Sequence, residues 1–107
     1  MTLFNQYQEI IEKRKNWEGE IDYDNNPLIK KSIELFSENI CDTIDFLKNQ
    51  CTGEQFIWMS EIFEEIAERT QSMEFIDCLY ESTKKFPNET EKYNIVFFIN
   101  EAADIIR

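Results

Sequence analysis

The helical character of this 107-residue chain is clearest in residues 51–70, which read CTGEQFIWMSEIFEEIAERT. Thr52 and Gln55 have the spacing of a capping box, in which each side chain accepts a hydrogen bond from the other residue's backbone N–H. Apolar residues then recur at helical intervals along one stripe, namely Phe56, Met59, Ile62, Phe63, Ile66 and Ala67. The pattern predicts a single helix over about residues 53–69.

Apolar spacing of the same kind predicts helices on both sides of this segment. They cover residues 3–15, 27–36, 38–49, 73–86 and 94–106, with a short helical turn beginning at Asn88. Residues that favour helix ends mark the boundaries: Asn26, Pro27, Ser37, Ser72 and Pro87. Residues 38–49, with Cys41 on the inward face, are either a separate helix capped by Ser37 or a kinked continuation of the helix before them.

The chain contains only two glycines and two prolines, which favours helices joined by short loops over a sheet with many turns. We therefore predict an all-α single domain, residues 1–107, of six or seven short antiparallel helices. Helix pairs at 52–86 and 88–106 are compatible with helical-repeat units, although no sequence period accompanies them. Residues 16–26 alternate acidic and apolar side chains, but a lone strand has no partner, so we interpret them as an ordered loop.

The charge of the chain is strongly unbalanced, with 22 acidic residues, 11 basic residues and no histidine, for a formal net charge of −11. Nucleic acids and anionic lipids require a positive surface, so direct binding to either is disfavoured. The excess negative charge suits rapid capture of a basic protein partner by long-range attraction. The plainer alternative is an acidic surface that serves solubility alone.

The acidic residues are concentrated in one loop and one predicted helix. The loop, residues 18–24, has no basic residue and four acidic ones, Glu18, Glu20, Asp22 and Asp24. The helix carries five acids and one base, Arg69; its acids are Glu54, Glu61, Glu64, Glu65 and Glu68. Helical geometry places the last four of these carboxylates close together, opposite the apolar stripe. Like charges at this spacing destabilise a helix by roughly 0.2–0.5 kcal/mol each, which is easier to understand if a positive partner meets them.

Two tryptophans lie beside these acidic segments. Trp58 falls off the inward stripe of the predicted helix, and Trp17 precedes the acidic loop. Aromatic side chains next to carboxylates are typical of interface anchors. Packing in the core is an equally good interpretation of both. The candidate partner-binding residues are therefore the acids of the loop and helix, together with Trp58.

The sequence lacks the residues that most kinds of catalytic site require. Without histidine, neither a Ser–His or Cys–His couple nor a Glu-x-x-His metal motif can form. The two isolated glycines offer no phosphate-binding loop. Cys41, Cys51 and Cys78 have neither redox nor zinc spacing, so we expect buried free thiols. A carboxylate metal site around Glu64 is the weaker alternative to a solvated or partner-facing surface. The sequence therefore predicts no enzyme, no cofactor and no metal.

The location of the protein follows from its hydropathy pattern. The first ten residues, MTLFNQYQEI, lack the basic and apolar segments of a secretion signal. No uncharged run exceeds eight residues, which is too short to cross a bilayer. We therefore expect a cytoplasmic protein.

Three segments in the second half of the chain occur in an informative order. They read CTGEQFIWMSEIFEEI (51–66), ERTQSMEFIDCL (68–79) and KKFPNETEKYNI (84–95). In this order residues 51–106, and residues 26–50 more loosely, resemble small helical proteins encoded beside bacterial polymorphic toxins, including the immunity proteins of contact-dependent growth inhibition systems.

This resemblance implies a protein without an active site that binds a cognate toxin domain, often a nuclease, and blocks it or holds it inactive. Nuclease domains carry lysine and arginine for phosphate contacts, so an acidic inhibitor fits. Interfaces in such systems diversify, and no contact residue is carried over. The alternative function is a general acidic protein-interaction module, a scaffold or regulator without a toxin partner.

Overall fold

The computed structural model describes residues 2–16 and 26–107, and every regular element within these ranges is an α-helix. The described helices number eight: α1 (Leu3–Lys15), α2 (Pro27–Ser37), α3 (Ile40–Asn49), α4 (Gly53–Ser60), α5 (Phe63–Thr70), α6 (Met73–Lys85), α7 (Pro87–Lys92) and α8 (Ile95–Ile105). The all-α prediction is confirmed, with a slightly higher helix count than expected.

Local sequence signals set most helix starts as predicted. Asn26 caps α2, its side chain accepting a hydrogen bond from the Leu28 N–H at 2.8 Å, and Pro27 occupies the first turn. The capping box of α4 is present: Thr52 Oγ1 accepts from the Gln55 N–H at 3.1 Å, and Gln55 Oε1 accepts from the Thr52 N–H at 3.0 Å. These side chains satisfy backbone donors that the first helical turn leaves without partners.

Of the two alternatives for residues 38–49, the structure has the separate helix, but Ser37 does not cap it. Ser37 is the last residue of α2, and Asn39 caps α3 by accepting from the backbone N–H groups of Cys41 at 3.1 Å and Asp42 at 3.3 Å. Asparagine is at least as good an N-cap as serine, so the chain begins the helix two residues later. Cys41, expected on the inward face, is exposed.

The prediction of one helix over residues 53–69 is also wrong, because the helix ends at Ser60 and a second one begins at Phe63. The Ser60 hydroxyl donates to the Ile57 carbonyl oxygen at 2.6 Å. Hydroxyl bonds of this kind bend helices. They do not by themselves end α4, because Ser32 in α2 and Ser82 in α6 bond back to the preceding turn inside unbroken helices.

The break has a reason in the packing of this segment. Four of five consecutive residues there are buried: Met59, Ser60, Ile62 and Phe63. Successive residues of a continuous helix turn by about 100°, so five of them cover the whole circumference and cannot all face one side. The change of direction between α4 and α5 lets these four side chains enter the same core.

The core is one continuous cluster to which seven of the eight described helices contribute, α7 being the exception. Aromatic rings connect its parts. The Phe63 ring lies 5.7 Å from the Phe56 ring and 6.3 Å from the Phe75 ring, between ring centroids, and so joins α4, α5 and α6. The Phe36 ring lies 4.7 Å from the Tyr7 ring and joins α1 to α2.

Helix contacts cross large distances in the sequence: α2 packs against α5, α3 against α6, and α8 against both α5 and α6. They go beyond the neighbour-only contacts of a repeat array. Gln71 fastens the end of α8 to the turn between α5 and α6, donating to the Ile105 carbonyl oxygen at 3.4 Å and accepting from the Arg107 N–H at 2.8 Å. Since Tyr80 also bonds Asn100, α6 and α8 run antiparallel.

The described helices are short, the longest having 13 residues. A bilayer crossing requires about 20 apolar residues in one helix. None of the helices in the described ranges meets this requirement of length and apolar character.

Replacing Gln55 with leucine is expected to lower the free energy of unfolding by about 1–3 kcal/mol. The Gln55 side chain is fully buried, and besides capping Thr52 it donates to Gln8 Oε1 at 3.2 Å and to the Phe4 carbonyl oxygen at 3.4 Å. Leucine would remove these bonds without removing their partners. Urea denaturation followed by circular dichroism measures the loss; a similar loss for the exposed Gln50→Leu would contradict this explanation.

Candidate partner-binding surfaces

A groove of about 740 Å³ lies along α4, between the end of α1 and the α7 region. We call it the α4 groove; its lining includes Lys15, Glu54, Trp58, Glu61, Glu89 and Tyr93. Three residues that the sequence singled out for partner binding, Glu54, Trp58 and Glu61, therefore meet in one concave surface.

Trp58 is neither a core residue nor a freely exposed anchor. It is half-buried, and the guanidinium carbon of Arg14 lies 4.7 Å from its ring centroid, within cation–π range. Both terminal nitrogens of Arg14 donate to the Glu61 carboxylate, Nη2 at 3.5 Å from Oε2. The Arg14 side chain is only 12% exposed and that of Glu61 34% exposed. The charge of Glu61 is thus already matched within the chain.

Glu54 is matched in a similar way at the mouth of the groove. Its carboxylate lies 2.6 Å from Lys15 Nζ, which is also 3.7 Å from Glu12. The hydrogen bond to Glu54 is the largest of the influences that raise the pKa of Lys15. Both partners of this pair are about half exposed, so solvent screens the interaction and it contributes little to stability.

The remaining groove carboxylate, Glu89, lies against the backbone of Gly53. A β-carbon at position 53 would come within 2.7 Å of Glu89 Oε2, so the glycine leaves room for this carboxylate beside the start of α4. Helix N-termini favour nearby negative charge. The groove therefore combines the aromatic rings of Trp58 and Tyr93 with three carboxylates, and two of these, Glu54 and Glu61, already pair with cations of α1.

The other predicted acids of this segment lie beyond the helix break. Glu64 and Glu68 are exposed on α5, and Glu65 is half-buried. None of the three lines the α4 groove. The expected group of four carboxylates on one helix face is therefore divided, because Glu61 belongs to the end of α4 and the other three to α5.

The α5 acids are continued by acids of α8. The pKa of Glu64 is raised, first because partial burial disfavours its charge, and then because Glu65 and Glu101 repel it. Asp104 follows Glu101 by three residues on the exposed side of α8. We call the surface formed by Glu64, Glu68, Glu101 and Asp104 the acidic face. Within the described ranges, no lysine or arginine forms an ion pair with any of its carboxylates.

The acidic loop is the other segment that the sequence singled out for partner binding. Its members Glu18, Glu20, Asp22 and Asp24, together with Trp17, lie outside the described residues. Their proposed contact with a partner stays a prediction.

The cysteines occupy three different environments, and all three are free thiols. Cys78 is buried, and Cys51 is half-buried, whereas the expectation of burial is wrong for Cys41, which is exposed. Burial raises the pKa of Cys51 to about 12 and also raises that of Cys78. Both thiols are therefore protonated at neutral pH and are poor nucleophiles. In the described ranges, no three Cys, Asp or Glu side chains are grouped in a way that could hold a metal ion.

Replacing Glu64 with glutamine is expected to raise the free energy of unfolding at neutral pH slightly, because it removes a charge that partial burial disfavours and that Glu65 and Glu101 repel. Surface pairs of like charge cost about 0.2–0.5 kcal/mol, which sets the size of the expected effect. The raised pKa means that the folded protein holds the Glu64 proton more tightly than the unfolded chain does, so ionisation of Glu64 opposes folding. Stability from this group is lost as pH rises through its pKa, and the advantage of the variant should vanish near pH ~3.

Urea denaturation of the two proteins at both pH values measures the difference. Glu34→Gln, on the exposed side of α2, is the matched control. An advantage for Glu64→Gln that persists unchanged at low pH would show that the ionisation of Glu64 is not its origin.

The two surfaces differ in how their charges are balanced. Sequence reasoning found acids of both but missed the cations that α1 supplies to the groove, Arg14 and Lys15. The position of Arg14 among the inward residues of α1 was the available signal, since an arginine on an inward stripe needs an acidic partner.

No protein-family model, curated protein or solved structure matches this chain.

Proposed function

We propose that this protein binds and neutralises a cognate bacterial toxin domain, as immunity proteins do, without catalysing a reaction. The partner is a basic protein, in particular a nuclease domain, and the binding takes place in the cytoplasm. The observation that carries the proposal is the acidic face, whose carboxylates form no ion pair within the described part of the chain.

The electrostatics of such a pair are favourable. A nuclease holds the phosphates of its substrate with lysine and arginine, and an acidic protein can occupy the same positive surface. The net charge of −11 attracts such a domain over long range. Electrostatic steering of this kind raises association rates to about 10⁸–10⁹ M⁻¹s⁻¹ at low salt. Fast capture suits a protein that must bind a toxin before the toxin reaches its substrate.

The geometry favours the acidic face over the α4 groove as the first contact. The acids Glu54 and Glu61 of the groove already interact with Lys15 and Arg14. A basic partner would have to displace those cations before it gained a comparable interaction. At the acidic face nothing has to be displaced, so the full attraction is available to the partner.

Co-expression with the product of the neighbouring gene tests the proposal. We expect the two proteins to purify as a complex, and we expect this protein to restore growth to cells in which the neighbour alone is toxic. In vitro, adding it at equal concentration should abolish nuclease activity of the purified neighbour.

Two results would overturn the proposal. One is a toxic neighbour that neither binds this protein nor loses activity in its presence. The other is a stable complex with a neighbour that has no toxic activity, which would instead support the general interaction module. Salt dependence adds a third readout, because complex formation driven by charge should slow markedly as ionic strength rises.

A further inference from the structure

The outward side of α8 carries an exposed apolar pair next to its acids. Val96 is 41% exposed and Phe97 50% exposed. The Phe97 ring packs edge-on against Phe98, with centroids 5.5 Å apart, and Phe98 is in turn packed against the core. The exposed ring therefore has a fixed neighbour and a defined position.

The pair is part of a longer stripe that has helical spacing. Val96, Phe97, Asn100, Glu101 and Asp104 are all exposed along α8. At the level of Asn100 the stripe is flanked by Tyr80 of α6, which is 37% exposed and donates its hydroxyl to Asn100 Oδ1 at 2.5 Å. On the opposite side the stripe meets Glu64 of α5, whose pKa responds to Glu101.

This surface, the α8 face, thus has an apolar end formed by Val96 and Phe97 and an acidic end formed by Glu64, Glu101 and Asp104, with the Tyr80 ring beside Asn100 between them. Single exposed apolar residues are ordinary on protein surfaces, but a contiguous group beside unneutralised charge is typical of an interaction site. Aromatic residues are common among the few residues that dominate binding energy.

We propose that the α8 face binds a basic amphipathic segment of a partner protein. Apolar side chains of that segment cover Val96 and Phe97, and its lysines or arginines meet Glu64, Glu101 and Asp104. This inference rests on the proposed function, because it names the surface that a basic toxin domain would meet. It also identifies Phe97 as the principal apolar anchor.

Charge complementarity selects this occupant over the others that an apolar face admits. A second copy of the chain would bring its own net charge of −11 against the same acids, and like charges placed together oppose association. Nucleic acid and anionic lipid are repelled for the same reason. Only a positive surface with apolar residues satisfies both ends of the face.

A defined probe tests the surface without the natural partner. The probe is a synthetic helical peptide with leucines on one face and lysines on the other, titrated into the isotope-labelled full chain at low salt. We expect amide shifts concentrated at Val96, Phe97, Glu101 and Glu64. Shifts concentrated in the α4 groove, or spread evenly over all acidic surfaces, would overturn the proposal.

Variants test the contributions of the apolar end and the acidic end of the α8 face to peptide binding separately. Phe97→Ser should weaken peptide binding about tenfold, and combined Glu64→Lys, Glu101→Lys and Asp104→Lys should weaken it at least about tenfold and reduce its salt dependence. An equally charged lysine peptide without leucines should be insensitive to Phe97→Ser. Matched controls are Met73→Ser for an exposed apolar side chain and reversal of Glu34, Glu38 and Asp42 for the charge. Equal losses in the controls would overturn the proposal.

Two further measurements distinguish a self-associating face from a partner-binding one, and failure of this surface assignment from failure of the proposed function. If sedimentation shows a dimer that Phe97→Ser converts into a monomer, the face is covered by a second copy and the proposal fails. In the toxin assay, binding by the unmodified protein tests the proposed function. If that binding occurs and neither Phe97→Ser nor the charge reversal affects it, the proposed function stands and this surface assignment fails.

Discussion

Phe63→Ala is expected to lower the free energy of unfolding by about 3–5 kcal/mol, a large part of the roughly 5–15 kcal/mol available to a domain of this size. The Phe63 side chain is fully buried and its ring lies near those of Phe56 and Phe75. Alanine would leave a cavity where three helices meet. The expected result is a urea midpoint far below that of the unmodified protein, with the far-ultraviolet circular dichroism of a helical protein at zero denaturant.

The chain offers a control of identical chemistry at an exposed position. Phe97→Ala removes the same atoms from a ring that is half exposed, so we expect a change within about 0.5 kcal/mol. The two variants should therefore differ strongly in stability, although both are Phe→Ala. Comparable losses would mean that Phe97 is buried in solution, and the α8 face would then not be open to a partner.

Glu61→Lys is expected to lower the free energy of unfolding by about 2–3 kcal/mol, below the value for a fully buried pair because Glu61 is partly exposed. The substitution places a second cation beside Arg14, which α1 holds largely out of solvent. It also disturbs the Arg14 contact with the Trp58 ring. Urea denaturation should show the loss. In a Trp17→Phe background, where the emission comes from Trp58 alone, the fluorescence of the folded protein should also change.

A neighbouring ion pair is the matched control. Glu54→Lys breaks the contact with Lys15, but both side chains there are well exposed, so the loss should be under about 1 kcal/mol. Exchanging the charges in Arg14→Glu/Glu61→Arg should recover part of the stability that Glu61→Lys loses. If Glu61→Lys and Glu54→Lys lower the free energy of unfolding equally, the burial of the Arg14–Glu61 pair would not explain the effect of Glu61→Lys.

Most helix starts were predictable because their causes are local, although α3 begins two residues later than predicted, after Asn39. Asn26, Thr52 and Ser72 each sit within three residues of the backbone N–H that they cap. The break after Ser60 could not be predicted from the sequence, because the apolar stripe continues through it without interruption and serine is common inside helices. Its cause lies in the tertiary structure, where Ile62 and Phe63 must enter one core together with Met59.

The candidate site was predictable only in part, for the same reason. Acidic residues are visible in any sequence, but whether a carboxylate is neutralised depends on which distant cation reaches it. Arg14 and Glu61 are 47 residues apart, and no short-range pattern joins them. Likewise, Glu101 acts on Glu64 only because α8 packs against α5. The exposed ring of Phe97 gained significance only once its acidic surroundings were known.

The break between α4 and α5 has a consequence for how the protein can change over evolutionary time. Because the chain changes direction there, Glu54 and Trp58 of α4 line the groove, whereas Glu64 and Glu68 of α5 belong to the acidic face. Substitutions at separated sites without shared partners usually have additive effects. Substitutions on one surface can therefore accumulate while the other surface keeps its charge and shape.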